Sequence, residues 1–320
     1  MQRRQLIKTA GTALAAGWVH TQGWSAQSIR YIVPFPPGGA TDAISRVLTE
    51  HLRQRMGQPV MIENIPGAGG LIGTARLKQS APDGYTIGLG NSATHTIAPQ
   101  LVKSVPYDPL ADFTAISMLT EYANVLVVAA TSSMKTMKDF VTLGRSKPEG
   151  FSYGSAGNGS SNHLSAALLA SKAGLQMTHV PYKGNGAALT DMLGGRIDWM
   201  FAGLSEVLPF VQDKRLRIIG ISSRTTDPML PDVPPIGETV PGFEMAGFMG
   251  VFAPANFPAP MATRFAQEVQ AILRLPEVAK GFEVQGLRVK SSTPEELAAR
   301  VRRDYAMWKA VIASAGIKAE

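Results

Sequence analysis

Three short stretches of this chain place glycines and hydroxyls where an anion could be held. "VPFPPGGATD", residues 33–42, sets Gly38 and Gly39 between prolines and a plausible helix start at Thr41 and Asp42. Glycine lets the main chain approach a ligand with no Cβ in the way, and the first amides of a helix lack internal partners. Such amides, at the positive end of the helix dipole, suit a carboxylate or phosphate. The prolines stiffen the loop, so less entropy is lost on binding. The plainer alternative is a rigid turn with Thr41 or Asp42 as an ordinary cap.

"YGSAGNGSSNHL", residues 153–164, repeats the logic: Gly154, Gly157 and Gly159 free the backbone, while Ser155, Ser160 and Ser161 offer hydroxyls. His163 falls in the first turn of the helix that follows, where it would either touch a ligand or pack. "VPYKGNGAAL", residues 180–189, puts Tyr182, Lys183 and Gly184 ahead of another helix, and "NSATHTIAP", residues 91–99, adds Ser92 and His95. Three similar loops favour a shared anion site over three unrelated turns.

Signs of catalysis are missing. The sequence has no G-x-S-x-G elbow, no H-E-x-x-H and no G-x-x-x-x-G-K phosphate loop. "GAGGLIG", residues 67–73, has the wrong spacing for a dinucleotide fingerprint. The histidines at 20, 51, 95, 163 and 179 show no metal-ligand spacing. No metal or cofactor is expected.

The elements that must position these loops alternate. "IRYIVPF" reads as a strand, followed by a helix through Ile44, Val47, Leu48 and Leu52 that stops at Gly57, the strand "VMIENI", a helix over 71–77 and the strand "YTIGLG". The series restarts with "NVLVVAA", then alternates helices over 137–143, 162–172 and 187–193 with "FSYGSA", "MTHVPY", "IDWMFAG" and "LRIIGIS". Alternating strand and helix means a parallel sheet with ligands beyond the carboxyl ends of its strands. Two series imply two α/β domains. The lone strand "GFMGVFAP", amid proline-rich loops, would cross back to the first domain, and the C-terminal helices would pack there. "TPEE" opens the last helix, with Thr293 as cap and Glu296 completing a capping box. The expected division is a leader over 1–26, a discontinuous first domain over 27–126 plus 250–320, and a second over 127–249.

Composition bounds the function. The 320 residues are 45% hydrophobic and 17% charged, enough for a large core. The first segment carries a twin arginine, Arg3 and Arg4, before an apolar run too short to span a bilayer, and reads as an export signal rather than an amphipathic surface helix. A mature start near Gln27 is expected. The absence of cysteine fits an oxidising compartment. The net charge of +7 falls to +4 without Arg3, Arg4 and Lys8, too mild to argue for nucleic acid.

The segment from "RYIVPFPPGGATD" through "GYTIGLG", residues 30–90, resembles the start of the substrate-binding proteins of the tripartite tricarboxylate transporter family, also called Bug receptors. The likeness continues through "VPYDPLADFTAIS", "YGSAGNGSSNHLSAALL", "THVPYKGNGAALTDMLGGRIDWMF", "LRIIGISS" and "LPDVPPIGETVPGFE", nearly the whole chain beyond the leader. The resemblance implies a periplasmic α/β receptor of the two-domain binding-protein fold, type II-like, with the ligand cleft between mostly parallel sheets. It implies a small organic carboxylate held by amides and hydroxyls: Phe35, Pro37, Gly38, Gly39, Thr41 and Asp42 from one loop, Ser155, Gly157, Gly159, Ser160 and His163 from the next. Tyr182, Lys183 and Gly184 match the family's third loop. It implies membrane transporter subunits as partners and binding without chemistry, and a monomer is expected. A receptor for a signalling partner and a periplasmic enzyme acting on a carboxylate are the alternatives. One departure is "WMFAGLSEVLPFV": Trp199, Met200 and Phe201 are bulky for this strand end. Phe201 would face the cleft and shape the ligand pocket, or else lie with Trp199 on the covered face of a buried strand.

Overall fold

The computed structural model describes residues 27–147, 150–157, 160–182 and 184–314, except the side chain of residue 205; the twin-arginine leader, Gly159 and Lys183 lie outside the described residues. In chain order the elements are β1 (Ile29–Val33), α1 (Ala40–Met56), β2 (Val60–Asn64), α2 (Leu71–Lys78), β3 (Thr86–Asn91), β4 (Phe113–Ala129), α3 (Met137–Ser146), β5 (Ser152–Ser155), α4 (Ser161–Ala173) and β6 (Thr178–Pro181). They continue as α5 (Asn185–Leu193), β7 (Trp199–Gly203), α6 (Leu204–Gln212), β8 (Leu216–Ile221), β9 (Ala246–Pro254), α7 (Ala259–Leu273), α8 (Pro276–Glu283), β10 (Arg288–Val289) and α9 (Pro294–Ser314).

Two sheets share one long strand. In the first, β2, β1 and β3 run parallel, and β9 joins antiparallel to both β3 and the N-terminal part of β4. In the second, residues 124–129 of β4 lie between β8 and β7, both antiparallel to it, and β7 continues in parallel to β5 and β6. The sheets are therefore mixed. The parallel part that alternating elements foretell is the outer portion, while the centre is antiparallel because β4 runs through both sheets and the chain returns from β8 of the second to β9 of the first, antiparallel to β4. Those crossings lie at Ala123–Asn124 and Met245–Ala246, a few residues before the boundaries expected from sequence.

Both faces of each sheet are covered. Along β4, Val125 and Val127 enter one apolar cluster while Leu126 and Val128 enter another, so the continuous run "NVLVV" follows from a strand buried on two sides. On α1, Ile44, Leu48 and Leu52 recur at helical spacing and join the core of the first lobe with Phe265 and Val269 of α7. Gly57 ends α1 in the left-handed conformation, with Arg53 and Arg55 in the last turn opposing the dipole. The capping box expected at the last helix is present: Thr293 Oγ1 accepts from the Glu296 amide at 3.2 Å, and Glu296 Oε2 from the Thr293 amide at 2.8 Å. That helix corrects one expectation, since α9 straddles the lobes. Leu297 and Val301 pack with Phe248 and Phe252 of the first, whereas Trp308, Val311 and Ile312 join the core of the second.

Where the sheets meet, Ser222 ties the crossings together. Its Oγ accepts from the Asn124 amide at 2.9 Å and donates to the Met245 carbonyl at 2.6 Å. Beside it, the Tyr122 ring lies against the backbone of Gly247, where a Cβ would come within 2.3 Å of the ring, so only glycine fits. Glu121 is held by Lys290 and Arg300, and Arg300 Nε donates to Asp304 at 2.5 Å. Burial raises the Asp304 pKa against the pull of Arg300, while in Glu121 the two cations outweigh burial and lower it.

Candidate functional site

A cavity of about 320 Å³ lies between the two sheets, floored by residues 121–125 of β4. Four helices begin on its wall: α1 at Ala40, α4 at Ser161 and Asn162, α5 at Asn185 and α6 at Leu204. Each start leaves amides without helical acceptors and brings a positive dipole end, so the arrangement favours an anion.

The first loop is built as the sequence suggests, but its aspartate works inward. The buried Asp42 carboxylate accepts from the Gly38 amide at 3.0 Å, Asn64 Nδ2 at 3.0 Å, and Arg46 at 2.8 and 3.1 Å. Arg46 foremost, with Gly38 and Asn64, holds its carboxyl down at about 2. Asp42 therefore shapes the loop, and the Gly38 amide is spent on it. Gly38 itself has φ +89°, which a side chain would strain. Pro37 and Gly39 are exposed, Thr41 is half-buried, and Phe35 packs against the first core and carries the carbonyl that Asn64 bonds at 3.2 Å.

In the second loop Ser160 is the cap of α4, its Oγ accepting from the His163 amide at 3.3 Å. Ser155 is occupied within the turn, 3.1 Å from the Gly157 amide and 2.6 Å from His179 Nε2. His163 is buried and stacks on His179 with centroids 3.9 Å apart and planes 5° from parallel. Burial lowers the pKa of both, that of His179 to about 4 with a smaller push from His163. Asn162 was not anticipated: it lines the cavity and donates to the Phe201 carbonyl at 2.5 Å. In the third loop Tyr182 turns its hydroxyl to Asp191 at 2.8 Å, and Gly184 precedes α5 with φ +110°.

None of the expected residues that the structure describes lines the cavity itself, which is met instead by their chain neighbours Ala40, Ser161, Asn162 and Asn185; three of the expected residues are buried away from it. His95 is fully buried in the first lobe, stacked on Phe252 at 4.1 Å and bonded to Thr94 Oγ1 at 2.9 Å, and burial pushes its pKa down to about 3. The Ser92 hydroxyl is buried and taken by the Phe248 amide at 2.8 Å. Phe201 is fully buried between Trp199 and Phe243, as the covered-face alternative had it, and does not line the cavity. An aromatic side chain on an apolar strand gives no sign of which face it takes.

Sequence reasoning missed Tyr122, Asn124, Asn185, Glu206 and Arg288, all on the cavity wall. The polar pair Glu121–Tyr122 inside an otherwise apolar stretch was the available signal for the first of these. Arg288 comes from the far end of the chain and pairs with Asp227 at 3.2 Å, a proximity no local pattern encodes.

Comparison with known proteins agrees with this fold. The model of the "Tripartite tricarboxylate transporter family receptor" matches residues 44–317. Protein BugT of Bordetella pertussis (strain Tohama I) is 31% identical over 314 residues, covering 98% of this chain and 95% of BugT. Rpa4515 of R. palustris, solved with adipate, superposes with a TM-score of 0.75 at 28% identity, over 93% of this chain and 100% of that one. MatC (Rpa3494) from Rhodopseudomonas palustris, solved with malate, does so at 0.71 and 30% identity, over 90% and 100%. With the family model spanning most of its length, the chain belongs to the tripartite tricarboxylate transporter receptor family of periplasmic solute-binding proteins.

Proposed function

We propose that this protein is exported to the periplasm, captures a small organic carboxylate between its two lobes, and delivers it to membrane subunits of a tripartite tricarboxylate-type transporter. The observation that carries the reading is the meeting of four helix starts, from both lobes, on one cavity. Relatives solved with adipate and malate support the ligand class. Because the chain passes between the lobes along β4 and over residues 222–246, closure over a ligand would be a hinge motion about Ala123–Asn124 and Met245–Ala246. The first-lobe amides at Ala40 and the second-lobe amides at Ser161 would then share one carboxylate. Charge-assisted hydrogen bonds contribute about 1.5–3 kcal/mol each. After the costs of association, micromolar affinity, about −8 kcal/mol, is the expected outcome. No step of covalent chemistry is assigned to any side chain, and the protein acts as a monomer.

Small-angle X-ray scattering of the purified protein with and without malate or adipate tests this. A ligand-dependent fall in the radius of gyration accompanies closure. Saturable binding with no change in dimensions would remove the hinge from the account.

A further inference from the structure

The charged side chains on the cavity wall are Glu121, Glu206, Asp227 and Arg288. Glu121 is answered by Lys290 and Arg300, and Asp227 by Arg288. Glu206 alone has no cation partner among the described residues. Its Oε2 accepts from Asn185 Nδ2 at 2.7 Å and from the Gly203 amide at 3.2 Å, which fixes the side chain at the start of α6. Its other oxygen accepts from no described residue. The bond to Glu206 also fixes the amide of Asn185, because a flipped amide would set oxygen against carboxylate. Asn185 Oδ1 is consequently buried with no donor. The free oxygen of the exposed Glu206 side chain and the buried Asn185 Oδ1 thus lie at the mouths of α6 and α5, with no donor among the described residues answering them.

This matters for the choice of ligand. A purely anionic di- or tricarboxylate would bring further negative charge beside a carboxylate that the start of α6 answers but no described cation does, in a cleft that closure would shield from water. A protonated amine supplies a positive charge and three donors to the same place. Resting on the proposed function, we propose that the preferred ligand is an amino-carboxylate, its carboxylate held by the helix starts and its ammonium bound by Glu206. Glu206 is then a specificity-determining residue that favours the zwitterionic member of any pair of acids matched in length.

Calorimetric titration with two matched pairs, glutamate against glutarate and 2-aminoadipate against adipate, tests this on the wild type and on Glu206→Gln. The amide retains an oxygen for the Gly203 amide, and Glu206→Asp serves as the conservative variant; thermal denaturation confirms that both fold. The wild type should bind the amine-bearing acid of at least one pair tenfold or more tightly, and Glu206→Gln should erase that preference while tightening the plain acid. Glu206→Asp should keep part of it. A wild type that prefers glutarate or adipate, with affinity lost in Glu206→Gln, would overturn the inference and leave carboxylate binding intact. Binding of no carboxylate of either kind, malate included, would overturn the receptor reading and this inference with it.

Discussion

Asp42→Asn is the sharpest test of how the first loop is held. The Asp42 carboxyl, ordinarily near 3.8, is held at about 2, chiefly by the hydrogen-bonded Arg46 guanidinium. At about 1.36 kcal/mol per pH unit the full difference would be about 2.4 kcal/mol. The Arg46 side chain is 57% exposed, however, and water screens the pair, so about 1 kcal/mol is the expected loss. The sign is fixed: a depressed carboxyl stabilises the fold above pH 3.8, and the contribution fades as pH falls through about 2. Asparagine also sets an amide against Arg46 and loosens the clamp on the Gly38 amide, so carboxylate affinity should fall threefold or more. Urea denaturation at pH 7 and calorimetric titration read the two effects. Wild-type stability together with wild-type affinity would refute the clamp.

Other substitutions probe different joints. Gly39 has ordinary φ (−83°) and open space where a Cβ would stand, so Gly39→Val should leave the melting temperature almost unchanged yet weaken carboxylate binding at least tenfold; normal affinity in the folded variant would remove this loop from the site. Gly247→Ala should cost about 1–3 kcal/mol by denaturation, because the new methyl strikes the Tyr122 ring, and an unaffected midpoint would contradict that packing. His95, held neutral by burial with a pKa of about 3, makes stability fall as pH drops below its unfolded value of 6.5, since the unfolded chain takes up the proton first. By pH 5 its share is about 2 kcal/mol at 1.36 per unit. His163 and His179 act in the same direction, so the comparison is with His95→Phe, whose stability should decline less steeply between pH 7 and 5; parallel profiles would refute the assignment.

Much of the architecture was legible because it rests on local periodicity. The spacing of Ile44, Leu48 and Leu52 and the stop at Gly57 mark α1, and the "TPEE" cap marks α9. The three loops were recognisable from glycines and hydroxyls ahead of helices, and the helices that follow two of them, α4 and α5, do begin on the cavity, as α1 does after the first. Tertiary partnership was not legible. A 17-residue strand passing through Glu121 and Tyr122 is stabilised by Gly247 and β10, far along the chain, so its middle looks polar from sequence alone. The same holds for α9, whose two halves serve different cores. Ser92, His95 and Asp42 show the limit for single side chains: each is a polar residue just beyond a strand end, yet its hydrogen bonds run to its own lobe. Glu206 shows the converse, since "LSEV" resembles any helix start until its neighbours are known.

The central claim, that a carboxylate binds between the lobes and leaves unaltered, is most directly tested by thermal shift against mono-, di- and tricarboxylates and amino acids, with the ligand recovered and analysed. At a hundred times its dissociation constant a ligand stabilises by about 2.7 kcal/mol, or several degrees for a protein of this size. The account predicts such a shift from at least one small carboxylate, lost in Gly39→Val and with the compound recovered intact. A shift that survives Gly39→Val, or a compound returned as product, would contradict it.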